Sequence, residues 1–399
     1  MKLCHKRVQA ASYLIFTALL CLITGVSVSC ETIGEDIKTI TISATGDCTL
    51  GRNYKMEFED SWDDCYSKYG ADYFLQNVSD VFTKDDITIA NLEGVLSESA
   101  TRQESFYREK KGRISEKKFC HLGKPEYLTA LKFGGVDAVS FANNHNIDYG
   151  LQGFEDTLDA CDAYGISAAY YDNVVRLTVS GITVGIVSID STYCSLETAE
   201  SYLRDAIADL RTDSSLIISC IHWGKNYETL PDDEQRYLGH LCVDLGADLV
   251  IGNHAHILQG VERYKGRYIF YSLGNFSYGG RAVPRDVDTM IVQQTFTFEN
   301  DELIIDDNVT IIPCWMSTRT DINDFCPVIQ DGTTASKIIE KINDLSEGFG
   351  MSFNQHGHPT VSPAVDTGRQ ACDASPYEQE PARVPSIIYT LLEGSGASQ

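Results

Sequence analysis

Five apolar or β-branched runs in this chain each stop in a short polar sequence, and this repeated pattern restricts the fold more than any other feature. Lys38 to Ala44 runs into Gly46-Asp47, Asp86 to Ala90 into Asn91-Leu92-Glu93, and Val136 to Phe141 into Asn143-Asn144-His145. Ser215 to Ile221 ends at His222-Trp223-Gly224, and Asp248 to Ile251 at Gly252-Asn253-His254-Ala255-His256. Alternating or continuous apolar residues over such lengths predict strands. Segments of helical period lie between them: Leu151, Phe154, Leu158 and Cys161, closed by Gly165; Ala199 to Leu210; and a run opened by Pro231 and ended by Gly246. Strands alternating with helices predict an α/β fold. In open α/β sheets, ligands gather beyond the carboxyl ends of strands. One polar tip is ordinary turn or cap chemistry. Five tips carrying Asp, Glu, Asn or His point to a site.

Further strands are expected around Ser180-Gly181, within Val174 to Ile189, and in Ile257 to Arg263 and Arg267 to Tyr271, which flank a turn at Lys265-Gly266. Strand-like sequence also covers Thr289 to Ile312. From Cys314 the periodicity weakens. Ala335 to Leu345 reads as a helix, and Glu393 to Gln399 as a loose tail.

The first thirty residues have the layout of an export signal. Lys2, Lys6 and Arg7 precede an apolar stretch from Tyr13 to Val28, and no acidic residue occurs before Glu31. Ser27-Val28-Ser29-Cys30 resembles a loose bacterial lipobox, in which Cys30 would be lipidated; a plain cleaved signal or an uncleaved anchor are the alternatives. The expected location is therefore outside the cytoplasm, on the outer face of the cell membrane or secreted. No second apolar run approaches the ~20 residues needed to span a bilayer. Beyond Cys30 an even number of cysteines permits disulfides in an oxidising compartment. Several sit in apolar runs, Cys220 among them, and read better as buried thiols. The formal net charge of −25 argues against a nucleic-acid partner, because a polyanion would be repelled.

Imidazole nitrogens and carboxylate oxygens together suit zinc, manganese or iron, whereas an all-oxygen set would suggest magnesium or calcium. In an extended segment residues i and i+2 point the same way, so His254 and His256 are both expected to reach one cluster. His222 adds a third imidazole, Asp47 and Glu93 add negative charge, and Asn144 offers an amide oxygen, leaving His145 free as a proton donor. The expected cofactor is one or two divalent metal ions.

In the order Gly-Asp, Asn-Leu-Glu, Asn-Asn-His, His-Trp-Gly, Gly-x-His-x-His and then Ser272-Leu273-Gly274-Asn275-Phe276, the chain resembles the CapA family of poly-γ-glutamate (capsule) synthesis proteins, a branch of the calcineurin-like metallophosphoesterase superfamily. The resemblance covers roughly Thr39 to Arg285. It implies a four-layer α/β/β/α sandwich over residues 31–312, with 313–399 as a partly irregular extension. It implies Asp47 as the first metal-ligand Asp, Glu93 as the bridging carboxylate, Asn144 and His145 as ligand and catalytic His, and His222, His254 and His256 as later ligands. Asn143 and Asn275 are expected to contact substrate. The superfamily's usual Asp-x-His start is here Asp47-Cys48-Thr49, Asn226 stands where a Glu is common, and Ala255 replaces a common Pro.

The function so implied is metal-dependent hydrolysis of a phosphoester, or of a γ-glutamyl polymer, linked to capsule synthesis. The alternative is a non-catalytic tethered subunit that binds or exports the polymer beside membrane-embedded synthesis proteins. No phosphate-loop or Gly-x-Ser-x-Gly signature occurs. His356 and His358 read as a solvated loop, His121 and His240 carry no assignment, and Trp223 and Phe276 read as packing residues.

Overall fold

The structure, a computed structural model, describes residues 36–53, 58–99, 107–110, 113–116 and 119–360. The expected leader, with Cys30, and residues 361–399 lie outside the described residues. Among the described residues, no helix is long and apolar enough to cross a membrane.

In chain order the principal strands are β1 (Ile37–Thr49), β2 (Ile87–Leu92), β3 (Ala138–Ser140), β4 (Ser167–Ala169), β5 (Val175–Val179), β6 (Ile182–Asp190) and β7 (Leu216–His222). They continue as β8 (Leu249–Asn253), β9 (Val261–Tyr264), β10 (Arg267–Phe270), β11 (Asn275–Tyr278), β12 (Asp288–Glu299), β13 (Glu302–Trp315) and β14 (Val328–Ile329). The principal helices are α1 (Trp62–Tyr69), α2 (Leu128–Gly134), α3 (Gly150–Tyr164), α4 (Leu196–Leu210), α5 (Asp233–Leu245) and α6 (Gly332–Ser346).

One sheet runs β14-β13-β12-β1-β2-β3-β4, with β11 added to the end of β1; a second runs β5-β6-β7-β8-β10-β9. The sheets face each other across alternate strand residues: Ile40, Ile42, Ile87 and Ile89 from the first meet Val184, Ile186, Ile218 and Ile251 from the second. Each such fully buried side chain contributes about 1.5–3 kcal/mol of transfer free energy. The opposite strand faces take helices. Val139 of the first sheet shares a cluster with Leu128, Leu131 and Phe154 of α2 and α3, and Ile217, Ile221 and Val250 of the second with Leu203, Ile207, Leu210 and Leu238 of α4 and α5. The architecture is therefore the expected α/β sandwich, helices outside and two sheets inside.

Helix boundaries follow local chemistry. Asp232 caps α5, accepting from Gln235 N at 3.0 Å while Gln235 Oε1 accepts from Asp232 N at 3.1 Å, so Pro231 lies just before the cap rather than in the first turn. Gly246, at φ 110°, closes that helix. Ile338, Ile339 and Ile342 of α6 join the core between the sheets. The nine described cysteines are free thiols, all buried except the half-buried Cys194.

The parallel registers align the strand ends. Asp47 of β1 lies opposite Asn91 of β2 and opposite Asn275 of β11, and Asn91 lies opposite Ser140 of β3. In the second sheet Asp190, His222 and Asn253 stand in one row. The polar tips therefore converge on one edge of the sandwich because parallel strands of similar length end together. A register shift between Ala44 and Asp47 re-aims the end of β1.

Candidate metal centre

Asp47 is positioned by a close backbone approach. Its N–H donates to Gly274 O at 2.9 Å, and a Cβ on Gly46 would lie 2.0 Å from that same oxygen, so only glycine fits before it. Asn91 Nδ2 donates to Asp47 Oδ1 at 2.7 Å and lies 3.3 Å from His222 Nδ1, which links the tips of the two sheets. Glu93 follows the end of β2; Thr49 Oγ1, two residues past Asp47, donates to its carbonyl at 2.9 Å. The hydroxyl at this position braces the chain rather than facing the cluster.

His254 and His256 depart from the extended geometry expected of them. β8 stops at Asn253, and both histidines take left-handed backbone conformations, φ 93° and 60°. Their rings end 5.9 Å apart at the centroids and join different groups. β9 accordingly begins only at Val261.

The side chains form two groups that could hold a metal ion: Glu93, His222 and His254 in one, Asp47, Glu93 and His256 in the other, all buried and with ligand atoms within 4.8 Å of one another. In the first, His222 Nε2 lies 2.8 Å from Asn144 Oδ1, 2.9 Å from His254 Nδ1 and 3.8 Å from Glu93 Oε1. In the second, His256 Nδ1 lies 2.9 Å from Asn275 Oδ1, 3.0 Å from Asp47 Oδ2 and 3.7 Å from Glu93 Oε2. Glu93 thus presents one oxygen to each group.

The donor set fits a cation. A single imidazole N–H can satisfy only one or two of the lone-pair atoms around it, yet three or more crowd each nitrogen. Asp47 Oδ2 is buried and meets no hydrogen-bond donor in good geometry. Two fully buried carboxylates are costly without a counter-charge. In the metal-free protein a proton on His256 fills that need. Burial pulls its pKa down, but the Glu93 and Asp47 carboxylates raise it further, to about 9. Burial and the same two carboxylates push the Tyr278 phenol well above its ordinary value.

His145 sits beside the first group, its Nε2 3.8 Å from Glu93 Oε1. Its Nδ1 lies 2.7 Å from Asp148 Oδ2, which also accepts from His121 N at 2.6 Å. The His121 ring packs 4.3 Å from that of His145. Asn143, expected to contact substrate, instead spends both ends of its amide internally. Its Nδ2 donates to Leu92 O at 2.7 Å and its Oδ1 accepts from His145 N at 3.0 Å, which pins the His145 turn to β2. Asn275, expected in the same role, turns its amide oxygen to His256.

Trp223 is fully buried, donating from Nε1 to Tyr271 O at 2.8 Å, and Phe276 is buried too. His240 stacks on Tyr264 and lies 2.8 Å from Glu262 Oε1, and His356 and His358 are exposed. Sequence reasoning missed Asp148, Asn91 and His121. The i+3 spacing of Asp148 from His145 was a usable signal, whereas His121 has no motif around it.

The family model for "Bacterial capsule synthesis protein PGA_cap" matches residues 41–279. The capsule biosynthesis protein CapA of Bacillus anthracis is 30% identical over 277 residues, covering 64% of this chain and 63% of that protein's length. The PGA biosynthesis protein CapA of Bacillus subtilis is 27% identical over 282 residues, covering 66% and 69%. Among solved structures, a 5'-nucleotidase from Candida albicans aligns over 79% of this chain and 59% of its own, at 10% identity and a TM-score of 0.36. The matched segment holds Asp47, Glu93, Asn144, His145, His222, His254, His256 and Asn275, and the chain belongs to the bacterial capsule synthesis protein family PGA_cap.

Proposed function

We propose that this protein is an extracytoplasmic, metal-dependent hydrolase of capsule or poly-γ-glutamate synthesis, acting on a phosphoester or on the polymer itself. The observation that carries the reading is the pair of buried groups sharing Glu93, with the His145–Asp148 pair beside them. Glu93, Asn144, His222 and His254 would hold one ion; Asp47, Glu93, His256 and Asn275 the other. A divalent ion there supplies Lewis acidity toward a phosphoryl or carbonyl oxygen and lowers the pKa of water toward neutrality. The mixed nitrogen and oxygen donors favour zinc, manganese or iron.

The chain's own residues supply the proton handling. Asp148 accepts from His145 Nδ1 and so fixes the ring with Nε2 toward the cluster. From there an imidazolium Nε2–H donates to the leaving oxygen or nitrogen. Asn143 and Asn91 keep the tips in register, so little reorganisation is needed on binding. Tyr278, its ring 5.2 Å from that of His256, lines the second side.

Export belongs to the same reading, supported by Lys2, Lys6 and Arg7 ahead of Tyr13 to Val28 and by Cys30. Membrane-embedded capsule synthesis proteins are the partners it implies. The test is a turnover screen of the metal-loaded protein on aryl phosphoesters and γ-glutamyl polymers. Turnover that falls with His145→Ala while metal content holds supports the hydrolase. Bound metal and bound polymer with no turnover of either substrate class would assign the chain to the non-catalytic subunit instead.

A further inference from the structure

The loop after β11 places two arginines beside the His256 side of the centre. The Arg285 guanidinium carbon lies 4.2 Å from the Tyr227 ring centroid, and that ring lies 5.9 Å from the His256 ring. Arg281 acts electrostatically on the Tyr278 phenol, whose ring is 5.2 Å from His256. Among the described residues, neither guanidinium has a carboxylate partner or a hydrogen-bond acceptor. Several other described arginines do have one: Arg176 pairs with Asp209 and Asp213, Arg204 with Glu200, Arg267 with Asp248 and Arg319 with Asp321, whereas Arg236 packs on Phe349 and Arg211 and Arg263 donate to backbone carbonyls.

The arginine loop is also held in place. Asn323, buried, donates from Nδ2 to Tyr278 O at 2.7 Å and to Arg281 O at 2.9 Å, and its own N–H donates to Ala282 O at 2.8 Å. Gly279 packs so closely that a Cβ there would lie 1.8 Å from Gly51 O. On the other side Tyr227 N donates to Ala255 O at 2.8 Å, fixing the aromatic platform to the His254–His256 turn. Two guanidinium groups without internal partners, carried on a loop whose backbone is braced at Tyr278, Arg281 and Ala282, suit an external oxyanion.

We propose that Arg281, beside Tyr278, and Arg285, on the Tyr227 ring, form an oxyanion subsite that takes a second anionic group of the substrate, a carboxylate or phosphate, beside the metal centre. The inference rests on the hydrolase reading for where the reacting group sits. It assigns the substrate class as oligoanions rather than isolated monoesters. The charge also offsets the repulsion that Asp47 and Glu93 exert on an approaching anion.

Calorimetric titration of the full chain tests this, with inorganic phosphate, tripolyphosphate and γ-linked hexaglutamate as probes, with and without Mn²⁺. The wild type is expected to bind at least one oligoanion more tightly than phosphate. R281A/R285A should lose at least tenfold on that oligoanion, with a shallower salt dependence and unchanged metal content, and in the presence of Mn²⁺ should lose less on phosphate than on the oligoanion. Whichever oligoanion binds more tightly identifies the source of the anionic group. Equal affinity of wild type and a folded double variant would overturn the subsite, as would a wild type that prefers phosphate. Should the alanine pair fail to fold, R281Q/R285Q carries the same comparison. A wild type without metal counts against the hydrolase, whereas the metal-free titration still reads the subsite.

Discussion

Replacing Asp148 by Asn separates proton handling from metal binding. The Asp148 side chain is buried, and its Oδ2 faces both His145 Nδ1 at 2.7 Å and His121 N at 2.6 Å. Hydrogen bonds to a charged group contribute about 1.5–3 kcal/mol each. The amide keeps one acceptor oxygen for two donors and can turn an NH₂ against the imidazole N–H. A loss of about 2 kcal/mol in stabilising the imidazolium corresponds to about a 30-fold fall in turnover. The fold should lose roughly 1–3 kcal/mol from the weakened buried bonds. Asp148 belongs to neither ligand group, so metal content should stay at the wild-type value. The assay is steady-state turnover of the best phosphoester or polymer, beside elemental analysis and urea unfolding of the same preparation. Wild-type turnover in Asp148→Asn, or loss of its metal, would refute the assignment of Asp148 as the residue that positions His145.

In chelator-treated protein, stability should depend on pH through His256. Its folded pKa of about 9 lies above the ordinary 6.5, so the contribution is complete below pH 6.5 and is lost as pH rises through about 9. A shift of that size corresponds to about 3 kcal/mol, read by urea unfolding at the two ends of the window; a flat profile would contradict it. Metal must displace the same proton, so metal affinity should rise with pH over that range, with proton release measurable by calorimetry in buffers of different ionisation enthalpy. Gly46→Ala should cost about 3 kcal/mol and lower metal content, because its Cβ would sit 2.0 Å from Gly274 O and force Asp47 away from Asn275; unchanged melting and metal content would argue against that close approach.

The strand tips were legible because parallel strands of similar length must end together, and apolar strands ending in Asp47, Glu93, Asn144, His222 and His254 make the convergence visible in one dimension. The division of labour within the cluster was not. His254 and His256 part company through two left-handed residues, a conformation that costs energy and that no local propensity announces. Asn275 faces His256 through the β1–β11 register, and Asn143 faces Leu92 through the end of β2; both depend on neighbours distant in sequence. His121 reaches His145 from a short strand paired with Asn53, and an isolated histidine offers no motif by which to place it. The late helix α6 was expected from its apolar period. The packing of its isoleucines against the open side of the core between the sheets, and the bracing of the Arg281 loop by Asn323, follow only from tertiary packing.

The central claim is that two buried ligand groups sharing Glu93 hold divalent metal. Elemental analysis of the full chain beside a His254→Ala/His256→Ala double variant tests it most directly. Stoichiometric zinc, manganese or iron is expected in the wild type and its loss in the variant, with the variant still folded by circular dichroism. A wild type that binds no metal even after reconstitution, or a double variant that keeps the wild-type content, would contradict it.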